Sequence, residues 1–167
     1  TVRAEAITTI FKPIASESGS VDFAGNLATS WMAGDNAANK GVRAYFSFDI
    51  SDLVGANIKE AKLTFTPKET VNNPWGISSF LLVEQVDYGT RPLQGADFHL
   101  EKIVELAKFT SSPPGEINVL ERITGALQPP AKPRFQVRLR LAGETNSNSK
   151  DDYLSFADAA LTVTYSK

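Results

Sequence analysis

The sequence predicts an all-β domain, a two-sheet antiparallel β-sandwich of jelly-roll type with one or two short helical turns. Three observations predict it. Along Arg43–Ser51, Ala44, Phe46, Phe48 and Ile50 alternate with Arg43, Tyr45, Ser47 and Asp49, the period of two that puts successive side chains on opposite faces of a strand. Ala61, Leu63 and Phe65 repeat the pattern against Lys62, Thr64 and Thr66. Two such runs joined by a short polar turn read as neighbouring strands of a half-buried antiparallel sheet. Finally, Gly, Pro and Asn punctuate many short apolar runs, the pattern of a sandwich or jelly roll.

The elements follow in order. Residues 1–11 are rich in β-branched side chains and predict a first strand bounded by Pro13. Residues 17–33 predict two short strands turning at Gly25-Asn26. The polar loop Gly34–Gly41 feeds a strand at 42–50, and Ser51–Gly55 opens like a capped helical turn. A strand at 57–66 is expected to stop at Pro67, and Asn72–Gly76 is rich in turn formers. The more continuously apolar run Ser79–Val86 predicts a central strand covered on both faces, ended by Asp87-Tyr88-Gly89. Residues 90–116 offer one candidate strand at 101–107 and the breaker Pro113-Pro114-Gly115. Ile117–Val119 leads into a short helix over Leu120–Leu127, terminated by Pro129, Pro130 and Pro133. Phe135, Val137, Leu139 and Leu141 alternate with Gln136, Arg138 and Arg140, and after the Gly143–Lys150 loop a last strand runs from Leu154 to Tyr165.

The 167 residues predict a single domain over 1–167, with residues 1–11 as a candidate exchangeable N-terminal strand. A net charge of −2, with both signs interspersed, argues against a nucleic-acid partner. No apolar run approaches the length of a membrane span. The absence of cysteine removes disulfides, thiolate metal sites and thiol nucleophiles together. Thr1 is not a translation start, from which a processed, secreted or cell-surface chain is expected.

The stretch Arg43–Ser51, which ends Phe48-Asp49-Ile50-Ser51 where family members carry R-x-hydrophobic-x-F-D-hydrophobic-S, and Ile58–Leu63, with I-x-x-A-x-L, resemble the DNRLRE-type family of extracellular β-sandwich modules, related to carbohydrate-binding modules. Phe135–Leu141 and Ala160–Tyr165 look like that family's closing strands. The resemblance implies a jelly-roll sandwich on a secreted or surface protein. Its motif is structural, so it implies a fold and no binding residue.

Catalytic chemistry has few candidates, and the chain is not expected to be an enzyme. His99 is the only histidine, no G-x-S-x-G or H-E-x-x-H occurs, and Asp49 is better placed to hold the turn after its strand than to act on a substrate. The Gly143–Asp152 loop offers Glu144, Asn146, Asn148 and Asp152 as candidate calcium ligands, since Ca²⁺ takes carboxylate and amide oxygens, although the loop lacks the acidic density of a D-x-D-x-D-G signature. Trp75, with Tyr88 and Asn73, forms a candidate carbohydrate-binding set, aromatic platforms beside an amide. Trp31 is expected to pack.

Two functions are expected of such a chain. The first is a structural subunit that joins copies of itself into a fibre or surface layer by β-strand addition, through the row Val2, Ala4, Ala6, Thr8 and Ile10. The alternative is a module that binds a polysaccharide. No cofactor other than a structural calcium is expected.

Overall fold

The computed structural model describes residues 3–167. Eleven strands, all paired antiparallel, follow in chain order: β1 (Ile7–Phe11), β2 (Gly19–Asp22), β3 (Leu27–Ala28), β4 (Trp31–Asp35), β5 (Gly41–Asp49), β6 (Asn57–Val71), β7 (Phe80–Val86), β8 (Val104–Thr110), β9 (Ile117–Asn118), β10 (Arg134–Leu141) and β11 (Asp152–Ser166). One short helix, α1 (Leu120–Ala126), and 3-10 turns at Ala15–Glu17, Ser51–Leu53, Pro74–Gly76 and Gly95–His99 complete the described residues. The all-β reading holds.

The strands form one continuous hydrogen-bonded sheet in the order β8-β7-β10-β5-β4-β11-β6-β9, with β1 added to β11 and the β2–β3 ribbon to β5. This sheet is strongly rolled. Phe46 on β5 and Phe65 on β6 are separated by β4 and β11, which in a flat sheet would place them about 14 Å apart at ~4.8 Å per strand. Their ring centroids lie 5.3 Å apart. The sheet therefore curls until its two halves share one core, which holds Phe46, Phe48, Leu63, Leu81, Val137 and Leu161. Each such side chain contributes ~1.5–3 kcal/mol on leaving water. Trp31 stacks on Phe46 at 4.9 Å and donates its indole N–H to the Tyr45 carbonyl, the packing role its sequence context predicts.

Most predicted strands appear within a few residues of their expected bounds, and the helical turns at Ser51–Leu53 and Leu120–Ala126 stand where expected. Of the strand expected over residues 1–11, the described residues form only Ile7–Phe11, and three further expectations need correction. First, β6 does not stop at Pro67 but continues to Val71. Pro67 sits opposite Phe156 at a register shift in the β6–β11 ladder, where a missing N–H is tolerated. Second, the strand expected at 101–107 begins and ends three residues later, as β8. Third, the sheet is not half-buried along β5: Tyr45 and Ser47, on the row opposite Phe46, are fully buried as well.

The cause is residues 87–103, which lie across the outer face of β7, β10 and β5. A segment without strands must satisfy its backbone polar groups elsewhere. Here the sheet's outward side chains do so. Tyr45 donates its hydroxyl to the Asp97 carbonyl at 2.8 Å, Arg43 donates to the Phe98 carbonyl at 2.7 Å and Arg138 to the Leu100 carbonyl at 2.6 Å. The Gln136 amide accepts from the Tyr88 N–H and donates to the Gly89 carbonyl. A second apolar cluster, Val21, Tyr45, Val86, Tyr88, Leu93 and Phe98, fills the remaining space.

Beneath this cover lies a buried ionic cluster. Glu84 on β7 has no solvent exposure; its Oε1 accepts from Arg138 Nε and Nη2 at 3.0 and 2.8 Å and from Arg140 Nε at 2.8 Å. Burial alone would raise the Glu84 carboxyl, but the Arg140 and Arg138 guanidiniums outweigh it and hold the group below the usual carboxylate range.

Removing the carboxylate strands two guanidiniums, one of them almost fully buried. Glu84→Ala is expected to cost about 3–5 kcal/mol, a fall in Tm of about 10 °C by calorimetry. Because the folded value is depressed, Glu84 stabilises fully above its unfolded pKa of about 4.3, and this contribution is lost as pH falls through the lower folded value. Glu84→Gln should therefore flatten the acid limb of a Tm-versus-pH curve; an unchanged limb would show that the pair carries no pH dependence.

Candidate functional site

The row expected to mediate assembly begins outside the described residues, at Val2. From Arg3 to Ala6 the chain forms no regular structure and every residue is exposed. It then becomes β1, which pairs with β11 of its own chain from Ile7↔Tyr165 to Phe11↔Leu161. Period two sorts β1 into two rows. Phe11 packs against the core, while Thr8 and Ile10 face outward, Ile10 with 60% of its surface exposed. Ala4, Ala6, Thr8 and Ile10 are thus all exposed. Among the described residues no strand pairs with the other edge of β1. Its attachment to β11 is reinforced by the Thr8–Thr164 hydroxyl contact at 2.9 Å and by Thr9 Oγ1 with the Tyr165 hydroxyl at 3.2 Å.

The candidate carbohydrate set is dispersed. Tyr88 is buried, and its hydroxyl donates to the Glu17 carbonyl at 2.6 Å beneath the 87–103 cover, so its ring offers no open platform. Trp75 lies in the Pro74–Gly76 turn, half-buried against the main core. Asn73 is exposed, and its backbone N–H donates to Asp152 at 2.8 Å.

The four candidate calcium ligands are engaged within the protein. Glu144 pairs with Arg43 at 2.5 Å. The Asn146 side-chain oxygen accepts the Asn148 N–H and the Asn148 oxygen accepts the Lys150 N–H, the two-residue return typical of Asx turns. Asp152 accepts from the Asn73 N–H and from the Asn146 amide, contacts that outweigh its burial and keep its carboxyl below the usual range. Asp35, fully buried, accepts from the Thr145 hydroxyl at 2.7 Å and the Asp152 N–H at 3.2 Å, and so ties this loop to β4. At Gly34, beside it, any Cβ would overlap the Asp152 carbonyl, so the close approach of β4 and β11 requires glycine. Among the described residues no group of three or more carboxylate or histidine side chains gathers around a common point.

Asp49 accepts from the Ser51 N–H and hydroxyl at 3.0 and 2.6 Å, the turn-holding role expected of it. His99 is exposed, edge-on to Phe23 and Phe98. Sequence reasoning missed the Glu17 site. This buried carboxylate accepts from the Ser47 hydroxyl at 2.8 Å and from Arg134 at 2.9 Å, and it anchors the Ala15–Glu17 turn to the sheet. The available signal was the polar row on β5 and β10, Ser47, Gln136 and Arg138, too polar for a face packed on apolar residues and too short in charge for a solvated one.

With these carboxylates already supplied with donors, millimolar CaCl₂ or EDTA is expected to leave Tm unchanged. A rise of several degrees with calcium, reversed by chelation, would show a cation site in the Gly143–Asp152 loop.

No family model matches the chain, and no curated protein matches its sequence.

Proposed function

We propose that this chain is a non-catalytic structural subunit of the extracellular or cell-surface kind, built on a jelly-roll sandwich resembling the DNRLRE-type modules, which joins copies of itself by β-strand addition. The observation that carries this reading is the segment Arg3–Ala6, which precedes β1. Its four residues are exposed, it pairs with no strand among the described residues, and it leads into an edge strand whose outer row includes the exposed Ile10. Exposed strand edges are what proteins ordinarily shorten, charge or cover, because they template pairing with another chain. A head-to-tail contact of this type does not close on itself and grows as a fibre.

The buried ionisable groups support the same reading. Glu17, Asp35, Glu84, Asp97, Arg138 and Asp152 each sit in a structural contact, and among the described residues no buried side-chain nitrogen or oxygen lacks a partner. The alternative, polysaccharide binding, rests on Trp75 and Asn73 at one end of the rolled sheet, without Tyr88.

Because β1 pairs within its own chain, the informative truncation removes residues 1–6 and leaves Ile7–Phe11 in place. Electron microscopy of the concentrated, unheated protein should show regular fibres, and the truncated chain should remain monomeric with an unchanged Tm. Monomers in both samples, with retention on a polysaccharide gel lost in Trp75→Ala, would overturn the structural reading in favour of the alternative.

A further inference from the structure

The rolled sheet is not closed, and the place where it stays open has the form of a strand site. Every neighbouring pair along β8-β7-β10-β5-β4-β11-β6-β9 is antiparallel, so strand direction alternates along the path. β8 and β6 consequently run the same way, and a single strand lying between them would be antiparallel to both. β9 already runs in that direction beside β6, but for two residues only, Lys62↔Asn118 and Leu63↔Ile117. Beyond them, among the described residues, Thr64–Val71 of β6 has no strand on that edge, and β8 has a strand, β7, on one edge alone. The Ser111–Glu116 connection from β8 to β9 carries Pro113 and Pro114, which cannot donate, and forms no ladder with either edge. At the start of β8 a groove of about 1020 Å³, lined by Val104 and Leu106 and by Val119 and Leu120, separates it from α1; Ala107–Thr110, further along the same edge, lie outside that groove.

We propose that the free edge of β8 is the acceptor for the Arg3–Ala6 arm of a second copy of this chain; this rests on the strand-addition reading above. The side-chain chemistry selects one register. On β8, Ala107 and Phe109 lie opposite Val83 and Leu81, which face the core, and Lys108 lies on the outward row beside the Phe80 ring. An antiparallel arm with Glu5 opposite Lys108 sets Ala6 opposite Ala107, Ala4 opposite Phe109 and Arg3 opposite Thr110. The small alanines then share the inward face with the Phe109 ring, and unlike charges meet on the outward face, a favourable cross-strand pair. The register that sets Glu5 opposite Glu105 brings like charges together and is disfavoured for the same reason. Main-chain hydrogen bonds to the unpaired β8 edge supply the affinity, and the alternating side chains fix the register.

The chain has no cysteine, so introduced thiols report the contact cleanly. Glu5→Cys protein and Lys108→Cys protein, both full length, are mixed under mild oxidation. The expected result is a disulfide-linked pair containing one of each, forming at least about tenfold faster than between Glu5→Cys and the exposed control Asp52→Cys, because docking raises the effective concentration of the thiols. A charge exchange gives a second readout: Lys108→Glu should reduce assembly, and adding Glu5→Lys should restore it. If unaltered protein assembles through residues 1–6 but Glu5→Cys links no faster to Lys108→Cys than to the control, the acceptor lies elsewhere and strand addition stands. If unaltered protein forms no assemblies at all, both the acceptor and the strand-addition reading fall.

Discussion

The contact on which the rest of this structure depends is the buried one between Glu84 and the guanidiniums of Arg138 and Arg140. It joins β7 to β10 on the outward face of the sheet, where an ordinary antiparallel sheet would meet water. Moving three charged groups out of water is costly, and the arrangement persists because the carboxylate is saturated with donors and Arg138 spends a further N–H on the Leu100 carbonyl. That last bond turns an ionic pair into a clamp. With Tyr45 and Arg43 it holds the carbonyls of residues 97, 98 and 100, so that a long irregular segment lies flat on the sheet with its backbone satisfied. Tyr45 and Tyr88, both buried and with phenols pushed upward by that burial, stay neutral donors within the same layer.

The consequence is that one half of the sheet is covered on both faces. The inner face of the rolled sheet is filled by the aromatic and aliphatic core, and the outer face of β5, β7 and β10 is sealed by the clamped segment. At one end, Asp35 and Asp152 bind the Gly143–Asp152 loop to its neighbours through their own oxygens. Among the described residues, the outer edge of β1, one edge of β8 and Thr64–Val71 of β6 remain without a strand partner.

Much of the fold was legible because period two survives wherever one row is apolar. β5, β6 and β10 declare themselves through Phe46, Phe48, Leu63, Phe65, Val137 and Leu139. The second buried layer was not legible, since Arg138, Gln136 and Ser47 have the polarity of solvent-facing residues and only a tertiary contact distinguishes the two cases. β8 was misplaced because its bulge near Val83/Glu84 breaks the alternation across Glu105–Ala107. Pro67 misled because a proline usually ends a strand, and only the irregular β6–β11 register shows why it does not here. Of the N-terminal row, only Thr8 and Ile10 among the described residues lie on a strand, and Arg3, Glu5 and Ile7 are exposed along with Ala4, Ala6 and Thr8, so alternation does not single the row out there. The fate of Tyr88 could not be read either, because an exposed and a buried tyrosine look the same in sequence.

Hydrogen exchange, read residue by residue on dispersed and on concentrated protein, tests the central claim most directly. Coverage of β5, β7 and β10 on both faces requires that their amides exchange only through global unfolding in both samples. The outward amides of β8 should exchange quickly in the dispersed chain and become protected, together with Arg3–Ala6, on concentration. Slow exchange of β8 at every concentration, or protection gained instead on the outer face of β5 and β10, would contradict it.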